Sequence, residues 1–203
     1  MYEVRLAKTA DVPAMLAIYR PYVEETTISF EYDVPTAEQF MARMMKFMAK
    51  YPVFVYERDG EVCGYAYAAP AFERVAYAWS VDLSVYVRKD LRGQGMGRAL
   101  ERAVSVFLKA LGYRKVYALV SEGNDASLAF HEAVGYRRVA FFPEQGYKRG
   151  RWLGVLWLEK ELNGAACAEN FPRTMGELLP DELYSLLCEA NAGARRPSRL
   201  TTR

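Results

Sequence analysis

The run Arg92-Gly93-Gln94-Gly95-Met96-Gly97-Arg98 places three alternate glycines between two arginines, where a strand-like stretch gives way to a helix-like one. Anion binding is the chemistry such a loop suits. N–H groups at a helix start lack intrahelical partners and lie at the positive end of the dipole. Glycines let the backbone come close, and guanidinium groups add charge beside it. A pyrophosphate is a fitting guest. The GxxxxGK[ST] loop is excluded because no lysine followed by a hydroxyl residue comes after these glycines, and the dinucleotide fingerprint fails because Leu100 stands where a third small residue is required. An ordinary glycine-rich helix entry stays open from the loop alone. Two further residues invite a chemical reading. In Trp79–Val85 the apolar residues alternate, which puts Asp82 on the same side as Ser80, Ser84 and Tyr86. Aspartate is disfavoured inside strands, so Asp82 either accepts hydrogen bonds from neighbouring hydroxyls or handles a proton. His131 is the one histidine of the chain, and a lone histidine on a helix is as compatible with packing as with proton transfer.

These residues need elements to hold them. Tyr2–Leu6 alternates like a strand, and Thr9 offers an N-cap for an amphipathic helix through Met15, Leu16, Ile18 and Tyr19. Thr36-Ala37-Glu38-Gln39 has capping-box form and opens a helix with Phe40, Met41, Met44, Met45, Phe47 and Met48 on its apolar side, a core face before a substrate lid. Val53–Arg58, Asp59-Gly60 and Glu61–Ala69 predict a hairpin, since Asp-Gly supplies the positive φ angles of a tight turn. A long strand over Tyr77–Val87 follows, then a helix from Arg98 to Leu111 stopped by Gly112, a short strand over Val116–Val120, and a helix capped by Asn124 that ends near Gly135. Strands over Arg137–Phe142 and Trp152–Lys160 complete the order βααβββαβαββ, an α/β chain with a mixed sheet covered by helices on both faces. After Leu162 the composition shifts to Gly, Pro and polar residues. The expected division is therefore a domain over 1–162 and an extension over 163–203, with one helix at Leu179–Ala190 and a mobile basic end. That helix could dock on the domain or on a second copy.

Bulk properties narrow the partners. A length of 203 residues accommodates one domain and an appendage, and a net charge of +2 without a basic run argues against nucleic acid and for a small-molecule partner. No segment approaches the roughly 18 apolar residues of a membrane span, and the start MYEVRLAKTADVPAM lacks a signal-like apolar core, so a cytoplasmic protein without a membrane partner is expected. Cys63, Cys167 and Cys188 are scattered without CxxC spacing, which suggests reduced thiols and no metal site.

The R-x-x-G-x-G form of Arg92–Gly97, following a long strand, resembles the coenzyme A pyrophosphate loop of the GNAT superfamily of N-acetyltransferases. Asn124–Tyr136, an Asn-led helix ending in a Gly-aromatic pair, resembles that superfamily's second signature. SFEYDVPT, RVAYAWSVDLSVYV and GYKRGRW are similar to the phosphinothricin and methionine sulfoximine (methionine sulfone) acetyltransferase family, a likeness covering 1–162. It implies a mostly antiparallel sheet of seven strands, acetyl-CoA as co-substrate, and transfer of acetyl to the amine of a small amino acid or analogue by direct attack on the thioester. Acetylation of a protein amino terminus or a polyamine, and coenzyme A binding without turnover, are the alternatives. Under this resemblance Val85, Tyr86 and Val87 meet the pantetheine arm through their backbone. Arg92, Gly93, Gln94, Gly95, Met96, Gly97 and Arg98 hold the pyrophosphate, and Asn124 contacts the cofactor. Asp82 is the candidate base and stands where relatives carry glutamate, so its carboxylate sits about one methylene further back, and either a water relays the proton or the role lies elsewhere. His131 falls where many members have a proton-donating tyrosine, and its imidazole could serve as base or as acid. Arg74 beside Tyr77 would bind the acceptor carboxylate, and Phe30 would border the acceptor pocket. A homodimer is also implied. Gly154 departs from the aspartate common in that family.

Overall fold

The computed structural model describes residues 2–165 and 170–192. Seven strands form one sheet in the order β1-β2-β3-β4-β5-β7-β6. The strands are β1 (Tyr2–Leu6), β2 (Val53–Arg58), β3 (Glu61–Pro70), β4 (Ser80–Val87), β5 (Lys115–Ser121), β6 (Arg137–Lys148) and β7 (Arg151–Glu161). Only β4 and β5 run parallel; every other neighbouring pair is antiparallel. The helices are α1 (Val12–Glu25), α2 (Ala37–Met48), α3 (Met96–Ala110), α4 (Asp125–Ala133) and α5 (Pro180–Ala192).

Strand alternation splits the core in two. Val81 and Leu83 point to the face where Leu100, Val104, Phe107 and Leu108 of α3 are buried, with Leu128 of α4 and Leu183, Leu186 and Leu187 of α5 packed alongside. Met15, Tyr19, Tyr22, Phe40 and Met44 of α1 and α2 bury against Val53, Val55 and Tyr65 on the other face. Truncating one of these fully buried side chains would cost on the order of 2–5 kcal/mol.

Several sequence expectations carry over directly. Thr36 caps α2, with Oγ1 accepting the Gln39 N–H and Gln39 Oε1 accepting the Thr36 N–H. Asp59 and Gly60 both take positive φ in the β2–β3 turn. Three boundaries differ. Thr9 is not the cap of α1 but the first residue of a 3-10 turn, Thr9–Asp11. Asp11 holds that turn by accepting from the Lys8 N–H at 2.7 Å and from Nη1 and Nη2 of Arg5, so α1 starts at Val12 with Pro13 in its first turn. The strand expected from Tyr77 begins only at Ser80, because Val75–Tyr77 closes a 3-10 turn and the β3–β4 ladder ends where the Ala71 N–H meets the Ser80 carbonyl. The last two strands are longer than expected and meet in a hairpin whose turn, Arg149-Gly150, has positive φ at both residues.

The C-terminal helix lies on the domain. Asn191 exchanges hydrogen bonds with the backbone N–H and C=O of Val4, covering an otherwise unpaired edge of β1 with its side-chain amide. Cys167 and the basic stretch 194–203 lie outside the described residues.

Candidate functional site

The centre of the site lies where β4 loses a neighbour. It pairs with β3 along its length, but its pairing with β5 stops at Asp82↔Tyr117, so the two parallel strands part beyond that point. The bonds Arg88 N–H to Cys63 O and Ala71 N–H to Ser80 O fix the phase of the β3–β4 ladder. Even-numbered residues of β4 therefore turn their N–H and C=O toward β3, and odd-numbered ones toward the gap. Of the three residues expected to offer backbone groups, Tyr86 spends them on β3 and packs its ring against Tyr19, Tyr22 and Tyr65. Val87 exchanges both groups with the Tyr22 hydroxyl, whose O–H reaches Val87 O at 2.6 Å. Val85 keeps its N–H and C=O facing the gap.

A cavity of about 450 Å³ runs from this gap to the N-terminus of α3, lined by Val85, Arg92, Gly95, Arg98, Asn124 and His131 among others. Gly93 and Gly95 have φ of +77° and +83°, and a Cβ at either would meet nothing within 4 Å. Glycine is thus needed for the left-handed backbone, not for want of space. Gly95 is the N-cap of α3 and has no side chain to cap it, which leaves the first N–H groups open to a ligand. Arg92 lies over the Tyr22 ring at 4.7 Å, held at the cavity mouth. Gln94 does not line the cavity; its amide oxygen accepts from Arg58 at 2.8 Å. Uncapped amides, two flanking arginines and an open approach fit a diphosphate-bearing co-substrate. Asn124 uses Oδ1 to accept the Ser127 N–H as cap of α4, which leaves its amide nitrogen as a donor toward the cavity.

His131 is buried on α4, on the α3 side of the sheet. Its Nδ1 lies 2.8 Å from the Ser127 carbonyl, which can only accept, so Nδ1 carries the hydrogen and Nε2 the lone pair. Nε2 is buried without a hydrogen-bond partner. Burial lowers the pKa of the ring, which keeps it neutral near pH 7. Asp82 points to the other side of the sheet, toward α1 and α2. Burial pushes its carboxyl up to about 6, and Oδ1 is buried without a partner. The alternative of an aspartate satisfied by neighbouring hydroxyls therefore does not describe this oxygen. Asp82 and His131 thus flank the gap from opposite faces and do not touch.

The expected acceptor residues lie on the Asp82 side. Phe30 is half-buried against β6: a Cβ on Gly146 would come within 2.4 Å of its ring, so glycine there makes room for the phenyl group. Arg74 and Tyr77 sit on the exposed β3–β4 loop, where Arg74 O accepts the Tyr77 N–H at 2.9 Å. The Tyr77 ring meets Phe72 at 4.8 Å, and Phe72 packs on Tyr117, the register neighbour of Asp82, and on Trp157. Gly154 faces the Phe141 ring so closely that a Cβ would come within 2.4 Å, while its N–H donates to Glu122 at 2.8 Å.

Sequence reasoning missed Lys148, Tyr22 and the Phe72–Trp157 pair. Lys148 is buried and donates to the carbonyls of Val23 and Ser29, tying the loop that carries Phe30 to β6. Burial lowers its pKa. Lys148 ends a strand that also carries Arg137, Arg138, Glu144 and Gln145, so its residue type did not set it apart; Tyr22 and the Phe72–Trp157 stack gave no local signal, because Val87 and Trp157 lie far along the chain.

Residues 4–157 match a family model described as an acetyltransferase (GNAT) domain. Phosphinothricin N-acetyltransferase of Alcaligenes faecalis is 37% identical over 162 residues, covering 79% of this chain and 82% of that protein. L-methionine sulfoximine/L-methionine sulfone acetyltransferase of Pseudomonas aeruginosa is 33% identical over 162 residues, covering 79% and 94%. The solved structure of a phosphinothricin acetyltransferase from Sinorhizobium meliloti in complex with AcCoA superposes with a TM-score of 0.79 at 30% identity, covering 90% of this chain and 98% of that one.

Proposed function

The chain belongs to the GNAT acetyltransferase family and is an acetyl-CoA-dependent N-acetyltransferase, and from that premise we propose that Asp82 and His131 serve as its proton-handling pair on opposite sides of the β4–β5 gap. Its acceptor is the primary amine of a small amino acid or analogue of the phosphinothricin, methionine sulfoximine or methionine sulfone type. The observation that carries this reading is the gap itself, with a cavity that reaches the uncapped N-terminus of α3 on one side and an unpartnered buried carboxylate on the other.

Two protons must move. One leaves the acceptor ammonium before attack, and Asp82, ionised above its raised pKa of about 6, takes it at Oδ1. The second leaves the nitrogen as the C–N bond forms, and must end on the departing sulfur. His131, which lines the cavity and keeps its lone pair on the unpartnered Nε2, relays it. The Val85 N–H, turned into the gap, is the donor for the carbonyl oxygen as negative charge develops there. Arg74 pairs with the acceptor carboxylate. The co-substrate, when bound, supplies the activated acetyl group; holding it is the work of the amides and arginines around Gly95.

A second copy would complete the surface. Phe141, Tyr147 and Trp152 are each about half exposed on β6, β7 and their hairpin, and β6 is the sheet's free edge. A homodimer covering this edge is the expected state, checked by light scattering. No described helix is long and apolar enough to cross a membrane. The substrate reading is tested by following thiol release from acetyl-CoA with a panel of small amino acids, an amino-terminal peptide and a polyamine. Turnover confined to the peptide or the polyamine, or absent with every amine, overturns it.

A further inference from the structure

We propose that residues 170–171, in the C-terminal extension, act as a positioning clamp on the acceptor loop through Trp79; this rests on the reading of residues 72–77 as part of the acceptor side. The family model covers 4–157 and so stops short of this extension, whereas the superposition on the phosphinothricin acetyltransferase of Sinorhizobium meliloti covers 90% of the chain.

The loop between β3 and β4 is closed at its base by Ala71 N–H to Ser80 O, and it carries Phe72, Arg74 and Tyr77. Trp79 is its last residue before β4. The Trp79 carbonyl is already fixed, accepting from the N–H groups of Arg114 and Lys115 at 2.9 and 3.2 Å. Its side chain is fixed by the extension alone among the contacts described: the indole N–H donates to Asn170 O at 3.0 Å, and the ring stacks on Phe171 at 4.9 Å and 19°. The extension is itself anchored a few residues on. Arg173 N–H reaches Leu111 O at 2.8 Å, its guanidinium pairs with Glu182 of α5, and Met175 N–H reaches Lys50 O. A rigid chain of contacts therefore leads from α5 through Phe171 to Trp79, two residues from Tyr77 and three before Asp82. Tyr77 in turn supports Phe72 over Tyr117, beside Asp82. None of these residues touches the cavity at α3, so the clamp bears on the acceptor and not on the co-substrate.

Phe171 is 62% exposed, so its truncation removes the stacked ring without opening a cavity. The test compares Phe171→Ala with the conservative Phe171→Tyr. In Phe171→Ala the acceptor KM should rise about three- to tenfold, the value of one aromatic pair, with kcat, coenzyme A affinity by calorimetry and thermal midpoint near those of the parent. Phe171→Tyr should restore the parent KM. Amide hydrogen exchange reads the same clamp without any acceptor: residues 71–79 should exchange faster in Phe171→Ala, and the α3 loop should not. An unchanged exchange rate over 71–79 overturns the clamp, as does an unchanged acceptor KM. A parallel loss of coenzyme A affinity and thermal midpoint overturns it too, by pointing to general loosening. Absence of any acceptor turnover in the parent protein would instead strike the proposed function, and leave the exchange measurement to decide the clamp.

Discussion

Replacing Asp82 by asparagine should stabilise the protein near neutral pH while removing its activity. The carboxyl titrates at about 6 against an ordinary 3.8, so the folded state holds its proton over a range in which the unfolded chain has released it. Stability contributed by this proton is fully present below the unfolded pKa and is lost as pH rises through about 6. Two pK units correspond to roughly 3 kcal/mol at about 1.4 kcal/mol per unit, the cost of burying the charged form at pH 8. Asparagine never carries that charge. Denaturant unfolding of the parent and of Asp82→Asn at pH 8 and pH 4 isolates the effect, because the amide's own burial is common to both. The difference in stability should favour the variant by up to about 3 kcal/mol more at pH 8 than at pH 4. In the parent, kcat/KM for the acceptor should climb as pH passes through about 6, and the variant should show little turnover. A stability difference that does not vary with pH, or a variant with normal turnover, would refute the reasoning that Asp82 is a desolvated base.

Three other outcomes follow from the geometry. Gly95→Val forces φ of +83° on a β-branched residue with no packing clash, so it should leave the fold within about 1–2 kcal/mol of the parent yet abolish measurable coenzyme A binding by calorimetry. Gly154→Asp drives a Cβ into the Phe141 ring and sets a second carboxylate beside Glu122. It should lower stability by roughly 1–3 kcal/mol in chemical denaturation, and Phe141→Ala in the same chain should recover part of that loss. Arg74→Ala should raise the acceptor KM by about tenfold or more without altering coenzyme A affinity, as expected when a charge-assisted pair to a carboxylate is removed.

Local signals carried much of the architecture. The Thr36 capping box, the Asp59-Gly60 turn and the glycine loop each depend on residues within a few positions of one another, and each has the structure its chemistry demands. Alternation likewise placed Asp82 on a face separate from Val81 and Leu83. Boundaries failed where a distant partner decided them. Thr9 lost the cap of α1 to a turn held by Arg5 and Asp11, and the strand expected from Tyr77 begins only at Ser80 because the β3–β4 ladder reaches no further.

What the sequence determined by itself was the inventory: a loop able to bind a diphosphate, a strand aspartate, a single histidine and the order of elements that carry them. What only the tertiary structure decided was how these act on one another. It set Asp82 and His131 on opposite sides of a gap, turned the Val85 amide into that gap, oriented the imidazole through Ser127, and gave the extension a hold on Trp79. The reason is physical. Backbone conformation and capping follow from neighbours along the chain, whereas burial, and with it every pKa shift and unpartnered atom of the site, depends on residues brought together only when the sheet assembles.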